Sequence, residues 1–190
     1  FTYPAGRIRI PNDSKSRAGG VLYSDYSLGR FFAEAARQPW FENTIFLVTA
    51  DHCASSAGRT EIPLQKYHIP ALILAPGLIE PGVVDGIVSQ IDLMPTLLSL
   101  LNMSYDSHFY GRSIFDPAYV NRAFIATYQD LGYLEGDTFT ILLPVRRFEQ
   151  YRVVPTEENP HHLETMERKD AMQVDRAIGY YQTSCKWNKR

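Results

Sequence analysis

The stretch Asn43 to Gly58, NTIFLVTADHCASSAG, decides how the chain folds. Its first half, Thr44-Ile45-Phe46-Leu47-Val48-Thr49, is a nearly unbroken apolar and β-branched run. Such a run predicts a strand buried on both faces, as in a parallel sheet covered by helices. It stops at Ala50-Asp51-His52 and gives way to a small-residue loop, Cys53 to Gly58. In open α/β sheets the ligand crevice lies beyond the carboxyl ends of the strands. An acid and an imidazole leaving a strand together suit a divalent cation, the carboxylate as hard oxygen and the imidazole as neutral nitrogen. The same two residues also suit a structural role, Asp51 capping a following helix and His52 filling a loop. Spacing alone does not choose between these.

Upstream, Val21 to Gln38 predicts a helix: Leu28, Phe31, Phe32 and Ala35 form an apolar stripe that Pro39 ends. Helix, short turn and buried strand make half of a β-α-β unit. Residues 1–20 are rich in turn-formers, Gly19 and Gly20 among them, and carry Arg7, Arg9, Lys15 and Arg17. They predict a solvated loop, with an anion-facing loop as the functional option.

Downstream, Ala71 to Ala75 predicts a second buried strand, ended by Pro76-Gly77. Gln90 to Leu101 predicts a short helix with Asp92 as N-cap, Pro95 in the first turn and Asn102 in the closing left-handed position. Tyr105 to Pro117 predicts a loop and Ala123 to Tyr128 a strand. Thr138 to Leu143 and Phe148 to Val154 predict an antiparallel pair. Asn159-Pro160 predicts the start of a last helix, with Leu163, Met166, Val174, Ile178 and Tyr181 on one face. The organisation is then a loop (1–20), an α/β core (21–130), and a strand pair with a C-terminal helix (131–190).

Bulk properties exclude several classes. The 190 residues are 45% apolar, ordinary for a domain able to bury a core. A net charge of −2 leaves no electrostatic footprint for nucleic acid. No apolar run is long enough to cross a bilayer. No signal peptide is visible, and an opening at Phe1-Thr2-Tyr3-Pro4 without Met is expected of a cut inside a longer protein. Cys53 and Cys185 are far apart with no metal-ligand spacing. Cys53 is expected to be a small buried residue rather than a nucleophile, for want of a basic partner. The 12 Tyr and 10 Phe fit a Tyr-rich core and surface, with a sugar-binding face as the alternative.

Four ordered motifs carry a family resemblance. They are Thr49-Ala50-Asp51-His52; the run Lys66 to Gly77, KYHIPALILAPG; the run Ser89 to Leu98, SQIDLMPTLL; and Tyr110-Gly111-Arg112-Ser113. Together they resemble the C-terminal half of the sulfatase and alkaline-phosphatase superfamily, nearest to its lipoteichoic-acid-synthase and phosphoglycerol-transferase-like branch. Phe1-Thr2-Tyr3-Pro4 is similar to a segment that in that branch follows a substrate-side His.

The resemblance implies an alkaline-phosphatase-like α/β fold, with a mixed, mostly parallel sheet flanked by helices and incomplete on its N-terminal side. It implies one divalent metal ion (Mn, Mg or Zn), with Asp51 and His52 as two of its ligands. Arg59, Lys66 and His68 become candidate substrate contacts; Arg59 stands where many sulfatases carry a Lys, and His68 where the common version has an Arg. The nucleophile and the first acidic ligand are expected upstream of this chain, so the isolated chain is expected to be inactive. The parent is expected to be a phosphoglycerol transferase or sulfatase-like hydrolase, membrane-anchored with this part outside the cytoplasm. Its substrate would be a phosphoglycerol glycan, a phospholipid head group or a sulfate ester. Two other readings stay open: a non-catalytic binding or scaffold domain, and a two-metal phosphatase. The second needs further His and Asp ligands, for which His108, His161 and His162 lack the sequence context.

Overall fold

A computed structural model describes residues 2–54 and 62–187. The chain divides into two compact units, Phe1–Thr49 with Ala71–Gly82, and Ala50–Pro70 with Val83–Arg190. These cross the divisions expected at residues 20 and 130.

The first unit holds helix α1 (Arg17–Ala35) and strands β1 (Phe46–Thr49) and β2 (Ala71–Leu74). The helix begins four residues earlier than its apolar stripe suggests, because Ser16 caps it by accepting from the Gly19 amide at 3.0 Å. Gly19 is therefore a first-turn residue and not a turn-former. A Cβ there would lie 2.1 Å from the Tyr3 hydroxyl, so only glycine lets this buried Tyr pack against the helix. The Tyr3 hydroxyl donates to the Pro11 carbonyl at 3.0 Å and so closes the N-terminal loop on itself. Phe32 and Phe41 meet Phe46 with ring centroids 5.3 and 5.5 Å apart, packing the helix and the following turn against β1.

β1 and β2 pair antiparallel, from Phe46 opposite Leu74 to Thr49 opposite Ala71. The mostly parallel arrangement expected from the sequence does not occur among the described residues, where every strand pairing is antiparallel. An apolar run reports burial, and burial does not fix the direction of the neighbour.

In the second unit the 3-10 turn Gln90–Asp92 leads into α2 (Leu93–Leu100), and Asn102 closes it at φ 50° as expected. Five strands follow in meander order: β3 (Arg122–Ala126), β4 (Leu131–Glu135), β5 (Thr138–Leu143), β6 (Arg147–Val153) and β7 (Leu163–Thr165). α3 (Ala171–Trp187) completes the unit. The expected pair at 138–154 is correct; β4 and β7 were not anticipated. The helix expected from Asn159 begins at Ala171 instead. Leu163–Thr165 forms ladder bonds with β6, and Asp170 supplies the cap by accepting from the Gln173 amide at 3.1 Å.

One face of this sheet buries Ile125, Leu134, Phe139 and Ile141 with Ile62 and Leu64. The other carries Phe124, Tyr133, Thr140 and Gln150 across consecutive strands, against α3. Here Gln150 and Gln173 are buried polar groups with full partners. Gln150 donates to Thr140 Oγ1 (2.9 Å) and accepts from the Asp170 amide (2.8 Å), while Gln173 donates to the Thr138 carbonyl (2.9 Å) and accepts from Thr140 (2.8 Å). Such a network fixes one register of helix on sheet, because a slipped helix leaves buried donors unpaired.

Candidate functional site

The site begins from a buried carboxylate. Asp92 stands at the N-cap position of α2, as expected, but is fully buried and makes no side-chain cap hydrogen bond to that helix. It accepts instead from the Ser89 and Arg112 amides, the Tyr119 hydroxyl and both terminal nitrogens of Arg122, at 2.8–3.2 Å. Burial works against the Arg122 charge, and Asp92 more than restores it, so the guanidinium pKa rises. Burial, with Asp92 as acceptor, likewise pushes the Tyr119 phenol up, keeping it a donor. Among the described residues Arg122 Nε has no partner, and three rings, Tyr119, Phe124 and Tyr180, surround the guanidinium within 5.5–5.8 Å. Gly111 lets the Tyr110–Ser113 motif reach this hub, since a Cβ would fall 1.9 Å from the Ile91 carbonyl oxygen.

The hub holds the 3-10 turn that presents Gln90. The Gln90 amide donates to the Ala50 carbonyl (3.1 Å) and reaches the Asp51 carbonyl (3.4 Å). The SQID motif thus positions the Asp51 backbone, a role that its sequence context did not reveal.

Asp51 and His52 lie just beyond the end of β1, with exposed side chains. Asp51 Oδ1 accepts from the His52 amide at 2.9 Å, and Asp51 Oδ2 stands 3.4 Å from His52 Nε2. His52 Nδ1 is 2.9 Å from the Cys53 carbonyl, which can only accept, so Nδ1 carries the proton. In the neutral ring, Nε2 then bears the lone pair, 3.4 Å from the carboxylate oxygen. Two acceptors facing each other across 3.4 Å are satisfied by a shared cation, and a hydrogen-bonded far nitrogen is the usual support for a ligating imidazole. The pair therefore fits a divalent metal as part of a ligand set; among the described residues no third His, Cys, Asp or Glu joins it.

Cys53 is half-buried, in no disulfide, and donates through Sγ to the His68 carbonyl at 3.1 Å. It links the metal-candidate loop to the strand-leading segment. His68 is exposed, and its ring meets that of His161 edge to face at 5.6 Å. His161 has no telling context in the sequence, since it lies far along the chain from His68 and only the β6–β7 connection brings it here. Burial, then the charge of His68, lowers the His161 pKa. Lys66 ends the 3-10 turn Leu64–Lys66, half-buried, and its ammonium forms no hydrogen bond or ion pair among the described residues. Arg59 lies outside the described residues.

The sulfatase family model matches residues 6–103, just over half of the chain and all of the residues from Asp51 to Asp92. An arylsulfatase of Clostridium perfringens (strain 13 / Type A) is 30% identical over 107 residues, which are 52% of this chain and 22% of that protein. A solved structure of a protein in the alkaline phosphatase superfamily from Vibrio parahaemolyticus has a TM-score of 0.81 at 30% identity. That match covers 96% of this chain and 46% of the other, so the alkaline-phosphatase-like α/β fold extends through the five-stranded sheet. The chain spans under a quarter of the arylsulfatase and under half of the solved relative. On the family match, with a superfamily fold over nearly its whole length, this chain belongs to the sulfatase family.

Proposed function

We propose that the full-length protein is a metal-dependent hydrolase or transferase acting at the sulfuryl or phosphoryl centre of an ester, and that Asp51 and His52 hold its cation. One observation carries this reading: in a sulfatase-family chain, a carboxylate oxygen and an imidazole nitrogen face each other at 3.4 Å just past β1. Asp51 supplies the charged ligand. His52, fixed as the Nδ1–H tautomer by the Cys53 carbonyl, supplies the neutral one. Gln90 holds the backbone that aims both. A cation bound there would offset charge on the transferring group and lower the pKa of a nucleophile.

Arg59 offers a planar fork for the substrate's anionic oxygens; Lys66 and His68 are further candidates. The remaining ligands and the nucleophile belong to a part of the protein outside this chain, in keeping with the 46% of the solved relative that it spans. A sulfate ester is the first substrate class, supported by the arylsulfatase relative. Phosphoglycerol transfer is the second, supported by Phe1-Thr2-Tyr3-Pro4 with its buried Tyr3. An extracytoplasmic, membrane-anchored parent rests on likeness to that second branch; no helix among the described residues is long and apolar enough to cross a membrane.

The test is elemental analysis beside steady-state kinetics on an aryl sulfate and an aryl phosphodiester, with the full-length protein. Asp51→Asn and His52→Ala are expected to lose metal and activity together, since each removes a direct ligand. Arg59→Ala is expected to keep its metal and lose roughly tenfold to a hundredfold in kcat/KM, the worth of a charge-assisted hydrogen bond. Full metal and unchanged kinetics in His52→Ala would end the ligand assignment.

A further inference from the structure

The five-stranded sheet ends in two hairpin tips that lie side by side. The chain turns from β3 into β4 at 127–130 and from β5 into β6 at 144–146. β4 pairs with β5 from Leu131 opposite Leu142, so both turns leave the same end of the sheet. They stand about 10 Å apart, two strand spacings. None of their residues belongs to the Asp51–His52 loop or to the Asp92 hub.

The tips carry the two most exposed large hydrophobic side chains among the described residues, Tyr128 at 90% and Val145 at 89%. Phe148, 41% exposed, stands opposite Leu142, Leu142 opposite Leu131, and Leu131 opposite Ala126. Residues directly opposite share a face, so an apolar row crosses four strands at this end. The first tip is a closed turn. Thr127 Oγ1 accepts from the Gln129 and Asp130 amides at 3.3 and 3.0 Å, and the Thr127 amide donates to the Asp130 carbonyl at 2.9 Å. The second tip is strained. Val145 and Arg146 stand at φ 62° and 56°, a region that a β-branched residue tolerates least. Strain that no contact within the fold offsets points to something met outside it.

The charges at the second tip are unpaired. Arg146 and Arg147 are exposed, and neither is in an ion pair among the described residues. Arg147 Nε reaches the Pro144 carbonyl at 3.4 Å. The acids that adjoin the tips are Asp130, half-buried, and Glu149, which accepts from the Tyr151 hydroxyl at 2.6 Å. Whatever covers this end takes protruding aromatic and aliphatic side chains and supplies anions between them. Two narrow convex tips bury far less than the roughly 800 Å² per partner of a specific protein interface. A two-fold pair of copies would also bring Arg146 and Arg147 toward their own counterparts. A bilayer interface needs no matching pocket: Tyr settles at headgroup level, apolar side chains enter the acyl boundary, and arginines meet lipid phosphates.

We propose that the two tips make a peripheral contact with an anionic lipid surface, Val145 and Phe148 entering the interface, Tyr128 at headgroup level, and Arg146 and Arg147 on the phosphates. This contact needs neither the Asp51–His52 cation nor turnover, and it is independent of how the parent is anchored.

Peptide-resolved hydrogen–deuterium exchange on the full-length protein tests it, in phosphatidylcholine bilayers, in the same bilayers with phosphatidylglycerol added, and without lipid. Amides of 127–130 and 144–148 are expected to exchange at least about tenfold more slowly with phosphatidylglycerol than in the other two samples. The Gly136-Asp137 turn, at the opposite end of the sheet, is expected not to change. The double variant Val145→Asn, Arg146→Gly relieves the strained turn rather than disrupting it. It is expected to lose the protection at 127–130, away from the substituted residues. Arg147→Gln is expected to lower the protection about fivefold, the worth of one basic residue at an anionic surface. Arg152→Gln removes an equal charge beside Asp137 and is expected to change nothing at the tips. Tip exchange that is the same in all three samples would overturn the proposal, as would equal slowing at Gly136-Asp137. Protection without lipid that rises with protein concentration would assign the tips to a second copy instead. Neither metal content nor turnover is read, so failure of the lipid contact and failure of the metal assignment are separable.

Discussion

At His161, burial and the neighbouring His68 act in the same direction, both disfavouring the charged imidazole. Its pKa in the folded chain therefore lies below the ordinary 6.5. The unfolded chain then binds a proton more readily than the folded one. Stability falls as pH drops through about 6.5 and levels off below the folded pKa. His161→Asn is expected to lose less stability than wild type between pH 7.5 and pH 5, by urea unfolding at each pH; an identical loss would mean that His161 titrates as a free imidazole. The candidate site shows how much one residue's surroundings leave unwritten. Asp51 and His52 stand out in the sequence because they follow an apolar run that ends abruptly. His161 does not, because only the β6–β7 connection brings it to His68. Asp92 was legible as the residue at the N-cap position of α2, but what its side chain bonds was not: its partners Arg112, Tyr119 and Arg122 lie 20 to 30 positions away.

The hairpin between β5 and β6 turns through Pro144-Val145-Arg146, and Val145 and Arg146 adopt φ of 62° and 56°. Left-handed backbone costs an ordinary L-residue roughly 1–2 kcal/mol, and a β-branched one is the least tolerant. Val145 is 89% exposed, so packing does not offset the cost. The residues suited to these dihedrals are Asn followed by Gly. The double variant Val145→Asn, Arg146→Gly is expected to raise stability by about 1 kcal/mol, seen as a thermal midpoint roughly 2–4 °C higher. A lower midpoint would show that Val145 makes stabilising contacts elsewhere in the protein. This turn also explains what the sequence hid at the scale of elements. β5 and β6 were legible as two strand-forming runs despite a turn with unsuitable residues. β4 was not, because Gly132 interrupts Leu131-Gly132-Tyr133-Leu134-Glu135 and leaves no clean period. β1 and β2 were legible as strands from continuous apolar runs, whereas their antiparallel pairing was not, since both directions bury the same side chains. At α1 the local signal was misleading: Gly19 and Gly20 look like a turn until the Tyr3 hydroxyl is seen against Gly19.

For the whole molecule, the proposed metal site rests on support that comes from well outside the Asp51–His52 loop. The second unit spends a buried ion pair, a capping turn and Gln90 on aiming the backbone of Asp51. Removing one partner of a buried pair leaves the other charge uncompensated and typically costs about 3–5 kcal/mol. On the proposed reading the donors so aimed are two, and a catalytic cation is ordinarily held by about three protein ligands besides the reacting group. Among the described residues no further His, Cys, Asp or Glu converges on them. The 190-residue chain alone is therefore expected to show no turnover of an aryl sulfate or an aryl phosphodiester above the rate of the free metal ion, at any concentration of Mn²⁺, Mg²⁺ or Zn²⁺. The full-length protein under the same conditions is expected to turn over at least one of them. The comparison needs both proteins folded, which circular dichroism establishes before the assay. Turnover by the 190-residue chain that Asp51→Ala abolishes would sink the prediction. It would place a nucleophile inside this chain, and the search would begin at the residues nearest the pair: Cys53, whose Sγ sits on the His68 carbonyl, and the small-residue loop that follows it.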